Sequence, residues 1–154
     1  MSHPPKSAID EIIDFQKRGE FLLAIKKSEH WLESFPYSFF MLNLLGVLYK
    51  KIGEKQKSTD AYHNALLINP DYAEAHYNLG NILKDLGRLQ EAEISYRQAI
   101  ELNTDFAEAN LNLGNILRDL GDFCSAINQY KQTLKSNNDS SLAKESLIST
   151  KGKI

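Results

Sequence analysis

Four asparagines stand where a helix would more easily take another residue. The stretch from Asn78 to Gly87 reads NLGNILKDLG, and that from Asn112 to Gly121 reads NLGNILRDLG. Asn78 and Asn81 thus return as Asn112 and Asn115. Asparagine is a mediocre helix former. Its amide both donates and accepts hydrogen bonds, so it can pair with the N–H and C=O groups of an extended peptide whatever that peptide's side chains. Close by in the repeated pattern come three cations, Lys50, Lys84 and Arg118, which favour carboxylates or phosphates. Two of them are followed directly by Asp85 and Asp119, and Glu74 and Glu108 weigh against anion binding as well. Solvation, bonds between neighbouring helices, or plain duplication of a segment would also explain the asparagines.

Little else in the chain has the makings of a reactive centre. There is no H-E-x-x-H run and no glycine loop placed to cradle a phosphate. The single cysteine, Cys124, excludes an internal disulfide framework and a cysteine-based metal site. Asp122 beside it opposes a low-pKa thiol. No cofactor and no metal are expected, and catalysis is not expected. The net charge of −2 gives no broad basic field for nucleic acid. No apolar run approaches a membrane span, and the opening MSHPPKSAIDE lacks the basic head and apolar run of a secretory signal. A cytoplasmic protein is expected, with Asn138-Asp139-Ser140 an accidental glycosylation sequon. Hydrophobic residues make up 42% and charged residues 25% of 154 residues, which suits one folded domain.

What must position these residues is a period. Shifting the chain by 34 residues superposes Gly19, Gly53, Gly87 and Gly121, and also Gly46, Gly80 and Gly114. Seven of the eight glycines fall into those two columns. Pro36 and Pro70 share a column, as do Tyr62, Tyr96 and Tyr130, and Ala24, Ser58, Ala92 and Ala126 form a small-residue column. Such a period signals a stacked array. The repeats are 5–38, 39–72, 73–106 and 107–140, each reading as two helices. In the third, the first helix is expected over about 72–86 and the second over about 89–102. Gly87 suits a left-handed closing residue, and the prolines follow second helices, where they stop further winding. At roughly 100° per residue, Ala75, Leu79, Ile82, Leu83 and Leu86 share one face, with Gly80 at its edge. Ala92 and Ala99 are expected to supply the matching small surface. Glu74, Tyr77, Asn78, Asn81, Lys84 and Asp85 share the other face. No segment alternates as a strand does, so the fold is expected to be all-α.

These columns resemble the tetratricopeptide repeat (TPR) family. The matching residues are Leu79, Gly80, Leu83, Gly87, Ala92, Tyr96 and Ala99 in repeat three, Leu45, Gly46, Tyr49, Gly53, Tyr62, Ala65 and Pro70 in repeat two, and Leu113, Gly114, Leu117, Gly121, Ala126 and Tyr130 in repeat four. The resemblance implies a right-handed superhelical stack of helix-turn-helix repeats, with 1–154 a single domain closed by a capping helix over 141–152. Asp139 or Ser140 is expected to cap that helix, and Leu142, Ala143, Leu147 and Ile148 to cover the last repeat. Departures are informative. The aromatic usual early in the first helix is replaced by Ala8, Leu42, His76 and Asn110. Repeat one is degenerate, with Ile12 in the glycine column and Trp31 in a small-residue column, which should push its helices apart. His76 is expected to pack and not to ligate, and the tyrosine column to be core.

In the family the first helices line a concave surface. The resemblance therefore implies a peptide-binding groove in which Asn78, Asn81, Asn112 and Asn115 read the backbone, Lys50, Lys84 and Arg118 meet anions, and Tyr77 stands at the junction. Upstream, Ile9, Ile13, Phe40, Leu44 and Val47 form an apolar interaction patch, since clustered exposed apolar residues usually mark an interface. Its expected occupant is a protein or peptide partner. Self-association as a homodimer, or cover by the chain's own MSHPP segment, would serve as well. The expected function is a non-catalytic adaptor for protein–protein interaction. The alternative is the substrate-selecting region of a larger glycosyl- or sulfotransferase whose catalytic domain lies outside this sequence.

Overall fold

The computed structural model describes residues 4–154. Among them are nine α-helices: α1 (Lys6–Lys17), α2 (Phe21–Ser34), α3 (Phe39–Lys51), α4 (Lys55–Ile68), α5 (Ala73–Asp85), α6 (Leu89–Leu102), α7 (Ala107–Asp119), α8 (Phe123–Ser136) and α9 (Ser141–Lys151). The chain divides into two compact units, 1–82 and 83–154, with the boundary inside α5. In the first, α1 packs on α2, α2 on α3 and α3 on α4. In the second, α6 packs on α7, α7 on α8 and α8 on α9.

Each hairpin turn is written by one glycine. Gly19, Gly53, Gly87 and Gly121 have φ of 77°, 81°, 75° and 86°, a region that residues with a Cβ enter at a cost. At α5 the Gly87 N–H donates to the Lys84 carbonyl at 2.9 Å and the Arg88 N–H to the Leu83 carbonyl at 2.9 Å. The same pair of bonds closes α1, α3 and α7. This is the Schellman pattern, which satisfies carbonyls that the helix end would otherwise orphan. At the opposite ends, the Ser38 hydroxyl accepts from the Met41 N–H at 3.4 Å and Asp122 Oδ1 from the Ser125 N–H at 3.1 Å. Asn69, Asn103 and Asn137, one per turn between repeats, each accept the N–H two residues on through Oδ1. This column escaped the sequence reading.

The other glycine column does a different job. A Cβ on Gly46 would lie 2.5 Å from the Tyr62 ring, and one on Gly114 would lie 2.6 Å from the Tyr130 ring. At these two glycines the facing surface is the ring of a fully buried tyrosine. The same approach lets the Ser58 hydroxyl donate to the Gly46 carbonyl at 2.8 Å. Repeat one fills the same pair of columns differently. Ile12 and Ser28 stand 34 residues before Gly46 and Tyr62. Both are fully buried, so the bulk has moved from the second helix to the first. Trp31 is half-buried against the core of Ile12, Ala24, Ile25, Met41, Leu44, Leu45 and Leu48, its ring 5.9 Å from that of Phe35. Helices α1 and α2 nevertheless approach each other far less extensively than α3 and α4, as the expected wedge requires.

Helix α9 is capped by Ser140, whose hydroxyl accepts from the Ala143 N–H at 3.3 Å. Ala143 and Thr150 are fully buried, whereas Leu142 and Ile148 are 62% and 72% exposed. Those two were expected to cover the last repeat. Helix α9 instead keeps the register of a first helix, with Ala143 and Thr150 in the columns of Ala109 and Ile116, and Ile148 in the column of Gly114.

Gly46→Ile is expected to destabilise the chain by about 3 kcal/mol through overpacking, and Tyr62→Ser, added to it, to recover at least about 1 kcal/mol by recreating the pair found in repeat one. Urea midpoints of the two single variants and the double variant measure this coupling. Burial pushes the Tyr62 hydroxyl from 10.0 up to about 12. Folding therefore favours its protonated form, a contribution complete below pH 10.0 and lost as pH rises towards about 12. Urea midpoints should fall across that alkaline window, and fall less steeply in Tyr62→Phe.

Candidate functional site

In the first unit, Ile9, Ile13, Phe40 and Val47 are half-buried. Leu44 departs from the expected patch: it is only 9% exposed and belongs to the core. Ile9 and Phe40 line a pocket of about 500 Å³ together with Phe39, Tyr72 and Glu74. The Phe39 and Tyr72 rings meet edge to face, with centroids 5.1 Å apart and planes at 72°, an arrangement that aromatic quadrupoles favour. The sequence reading missed Phe39 and Tyr72 as lining. A signal existed for Tyr72, because Phe106 lies one period downstream. Met1–His3, the start of the segment considered as a cover, lie outside the described residues.

The wall of this pocket is tied to one of the asparagines. Asn78 Nδ2 on α5 donates to Asn43 Oδ1 on α3 at 3.1 Å. Asn43 Nδ2 donates to the Tyr72 hydroxyl at 3.5 Å, and the Glu74 carboxylate is close enough to act on that hydroxyl. Burial first, and then the neighbouring Glu74 carboxylate, push the Tyr72 hydroxyl well above its ordinary value. Asn78 thus makes the interhelical bond that competed with peptide contact as its explanation. The relay uses one of its two amide hydrogens. Asn81, Tyr77 and Lys50, also in this unit, are half-buried.

In the second unit, Asn112, Asn115, Lys84 and Arg118 are half-buried. Asn115 Oδ1 accepts from the Tyr130 hydroxyl at 3.0 Å, so this asparagine helps to hold α8 on α7. Arg118 Nη2 lies 3.2 Å from Asp119 Oδ1, with the two side chains 27% and 53% exposed. The neutralisation weighed from the sequence is therefore present at this cation. Cys124 is exposed at the start of α8.

Family comparisons agree with the repeats. Tetratricopeptide repeat models match residues 73–106 and 107–140, and a TPR repeat model matches 46–87. The chain belongs to the tetratricopeptide repeat family. No curated protein matches it. Among solved structures, a crystal structure of MamA is 27% identical with a TM-score of 0.84, covering 91% of this chain and 82% of that one. YrrB, described as a TPR protein with an unusual peptide-binding site, is 20% identical with a TM-score of 0.81, covering 95% and 75%. The first TPR of Spaghetti (RPAP3), bound to the HSP90 peptide SRMEEVD, is 20% identical with a TM-score of 0.72, covering 75% and 91%. At that identity, YrrB and Spaghetti bear on fold alone. Among the described residues no helix is long and apolar enough to cross a membrane.

One departure from the TPR pattern has a physical explanation here. Where the family usually places a large aromatic, His76 Nε2 sits 2.8 Å from the Pro70 carbonyl oxygen. One period on, Asn110 Nδ2 donates to the Thr104 carbonyl at 3.3 Å and to the Phe106 carbonyl at 3.1 Å. Pro70 and Thr104 occupy the same column. Two residue types therefore close the same turn with a polar latch, and His76 does more than pack. His76→Asn is expected to leave stability within about 0.5 kcal/mol, whereas His76→Ala loses about 1 kcal/mol. Thermal and urea unfolding of both variants, compared with Asn110→Ala as a parallel case, provide the measurement.

Proposed function

We propose that this chain is a non-catalytic adaptor that binds an extended segment of a partner protein in the groove expected along its first helices. In this reading residues 1–154 form a single TPR domain, with repeats 5–38, 39–72, 73–106 and 107–140 and a capping helix over 141–152. The observation that carries it is the relay from Asn78 through Asn43 to Tyr72, which joins a half-buried amide to an apolar pocket. An amide able to bond a backbone beside a hollow able to hold a side chain is what extended-peptide recognition requires. Asn112 and Arg118, half-buried on α7, offer the same chemistry in the second unit. Among structural neighbours, YrrB is described with a peptide-binding site and the Spaghetti TPR with a bound peptide, which supports the class of partner. A cytoplasmic setting suits a chain whose one cysteine is exposed. The neighbours lend no support to the transferase alternative.

Titration of the labelled chain with short synthetic peptides tests this reading by amide chemical shifts. Asn78, Asn81, Asn112 and Asn115 are expected to move, and Asn78→Ala with Asn112→Ala to weaken binding by about tenfold or more. Unchanged resonances at all four asparagines across a varied peptide set would remove the proposal.

A further inference from the structure

The pocket of the first unit has a chemistry more specific than apolar. Four of its lining residues, Ile9, Phe39, Phe40 and Tyr72, present mostly carbon, and the fifth, Glu74, is a carboxylate on an exposed residue. Glu74 is the one ionic side chain of that lining. The aromatic wall is held in place before any ligand arrives. Tyr72 is fixed by its edge-to-face contact with Phe39 and by the Asn43 donor. Preorganised walls spare a ligand the entropy of ordering them. A volume of about 500 Å³ exceeds that of a leucine or phenylalanine side chain. An ionised carboxylate has about four acceptor sites, of which the Tyr72 hydroxyl can take at most one. Capacity therefore remains for a cationic donor at the rim, while a partner carboxylate there would be repelled.

We infer that this pocket takes a large apolar side chain of the partner segment, and that Glu74 selects a lysine or arginine next to it. The inference rests on the peptide-binding reading above and sharpens it: it names the residue pair that the first unit reads. The apolar side chain supplies affinity by leaving water. The cation supplies discrimination by complementing the field at the rim. Asn78, joined to the same tyrosine through Asn43, meets the backbone beside the anchored side chain.

The test uses the full chain and fluorescein-labelled peptides of alternating glycine and serine that carry a central Leu-Lys, Leu-Glu or Ala-Lys pair, with binding read by anisotropy. Leu-Lys is expected to bind tightest. Replacing leucine by alanine should weaken it about tenfold or more, and replacing lysine by glutamate about fivefold, an effect that shrinks with added salt. Glu74→Lys, a change at an exposed residue, should reverse the charge preference. Phe40→Ser, checked for folding by circular dichroism, should erase the preference for leucine. The inference is overturned if Leu-Glu binds as well as Leu-Lys, or if neither variant changes the ranking. In those cases asparagine shifts with every peptide would leave the peptide-binding reading standing. No binding by any peptide overturns both. Sedimentation of a dimer that Phe40→Ser converts to monomer would put a second copy in the pocket. Binding gained only on removal of residues 1–5 would put the chain's own start there. Either result also overturns the inference.

Discussion

The approach of a tyrosine ring to a glycine backbone is the constraint on which the other contacts rest. At Gly46 and Gly114 the ring leaves no space for even one carbon. Tyr62 and Tyr130 are buried because of that contact, and each then organises its surroundings. Ser58 reaches the Gly46 carbonyl across the same gap, and the Tyr130 hydroxyl reaches Asn115. Close packing of this kind tolerates exchange of volume better than addition of it. Repeat one shows this, since Ile12 and Ser28 occupy the columns of Gly46 and Tyr62 with both side chains buried. Its degeneracy is a different solution to the same packing problem.

The asparagines illustrate how the proposed recognition would share residues with the scaffold. Asn78 bonds Asn43 across two helices, and Asn115 receives the Tyr130 hydroxyl. Buried polar groups are expensive unless paired, so half-buried amides that line a surface gain by bonding their neighbours. An amide has more bonding sites than one such contact uses. The internal bond fixes the orientation of the rest, and a fixed donor or acceptor binds at lower entropic loss than a mobile one. The structural bond of Asn78 is therefore compatible with the recognition role proposed for it.

Polarity is arranged differently in the two units. The first carries the carbon-lined pocket with Glu74 at its rim. The second carries Arg118, whose charge is partly answered by Asp119. Exposed ion pairs of that sort contribute little to stability, and their strength falls as salt rises. Burial of carbon in the pocket lacks that sensitivity, which under the proposed function would make it the better source of affinity and leave the charged groups to discriminate.

The helices, their turns and the repeat period were legible in the residues because they depend on local rules. A glycine at the left-handed position ends each first helix, and apolar spacing at helical period defines each buried face. Helix α6 matches its expected bounds, and α5 is shorter by one residue at each end. Family membership followed from columns in register. What the sequence could not disclose was which atoms meet. Leu44 sits in the expected patch by helical angle, yet contacts with α1 and α2 residues place it in the core. Leu142 and Ile148 read as covering residues, yet α9 turns Ala143 and Thr150 inward instead. Phe39 and Tyr72, on α3 and just before α5, become one pocket wall only when those elements come together. Local propensity and periodicity act within a few turns of chain and so are written in order along it. The tie from Asn78 to Asn43 and the fit of a ring against a distant glycine depend on separations in space, which only the packed tertiary structure decides.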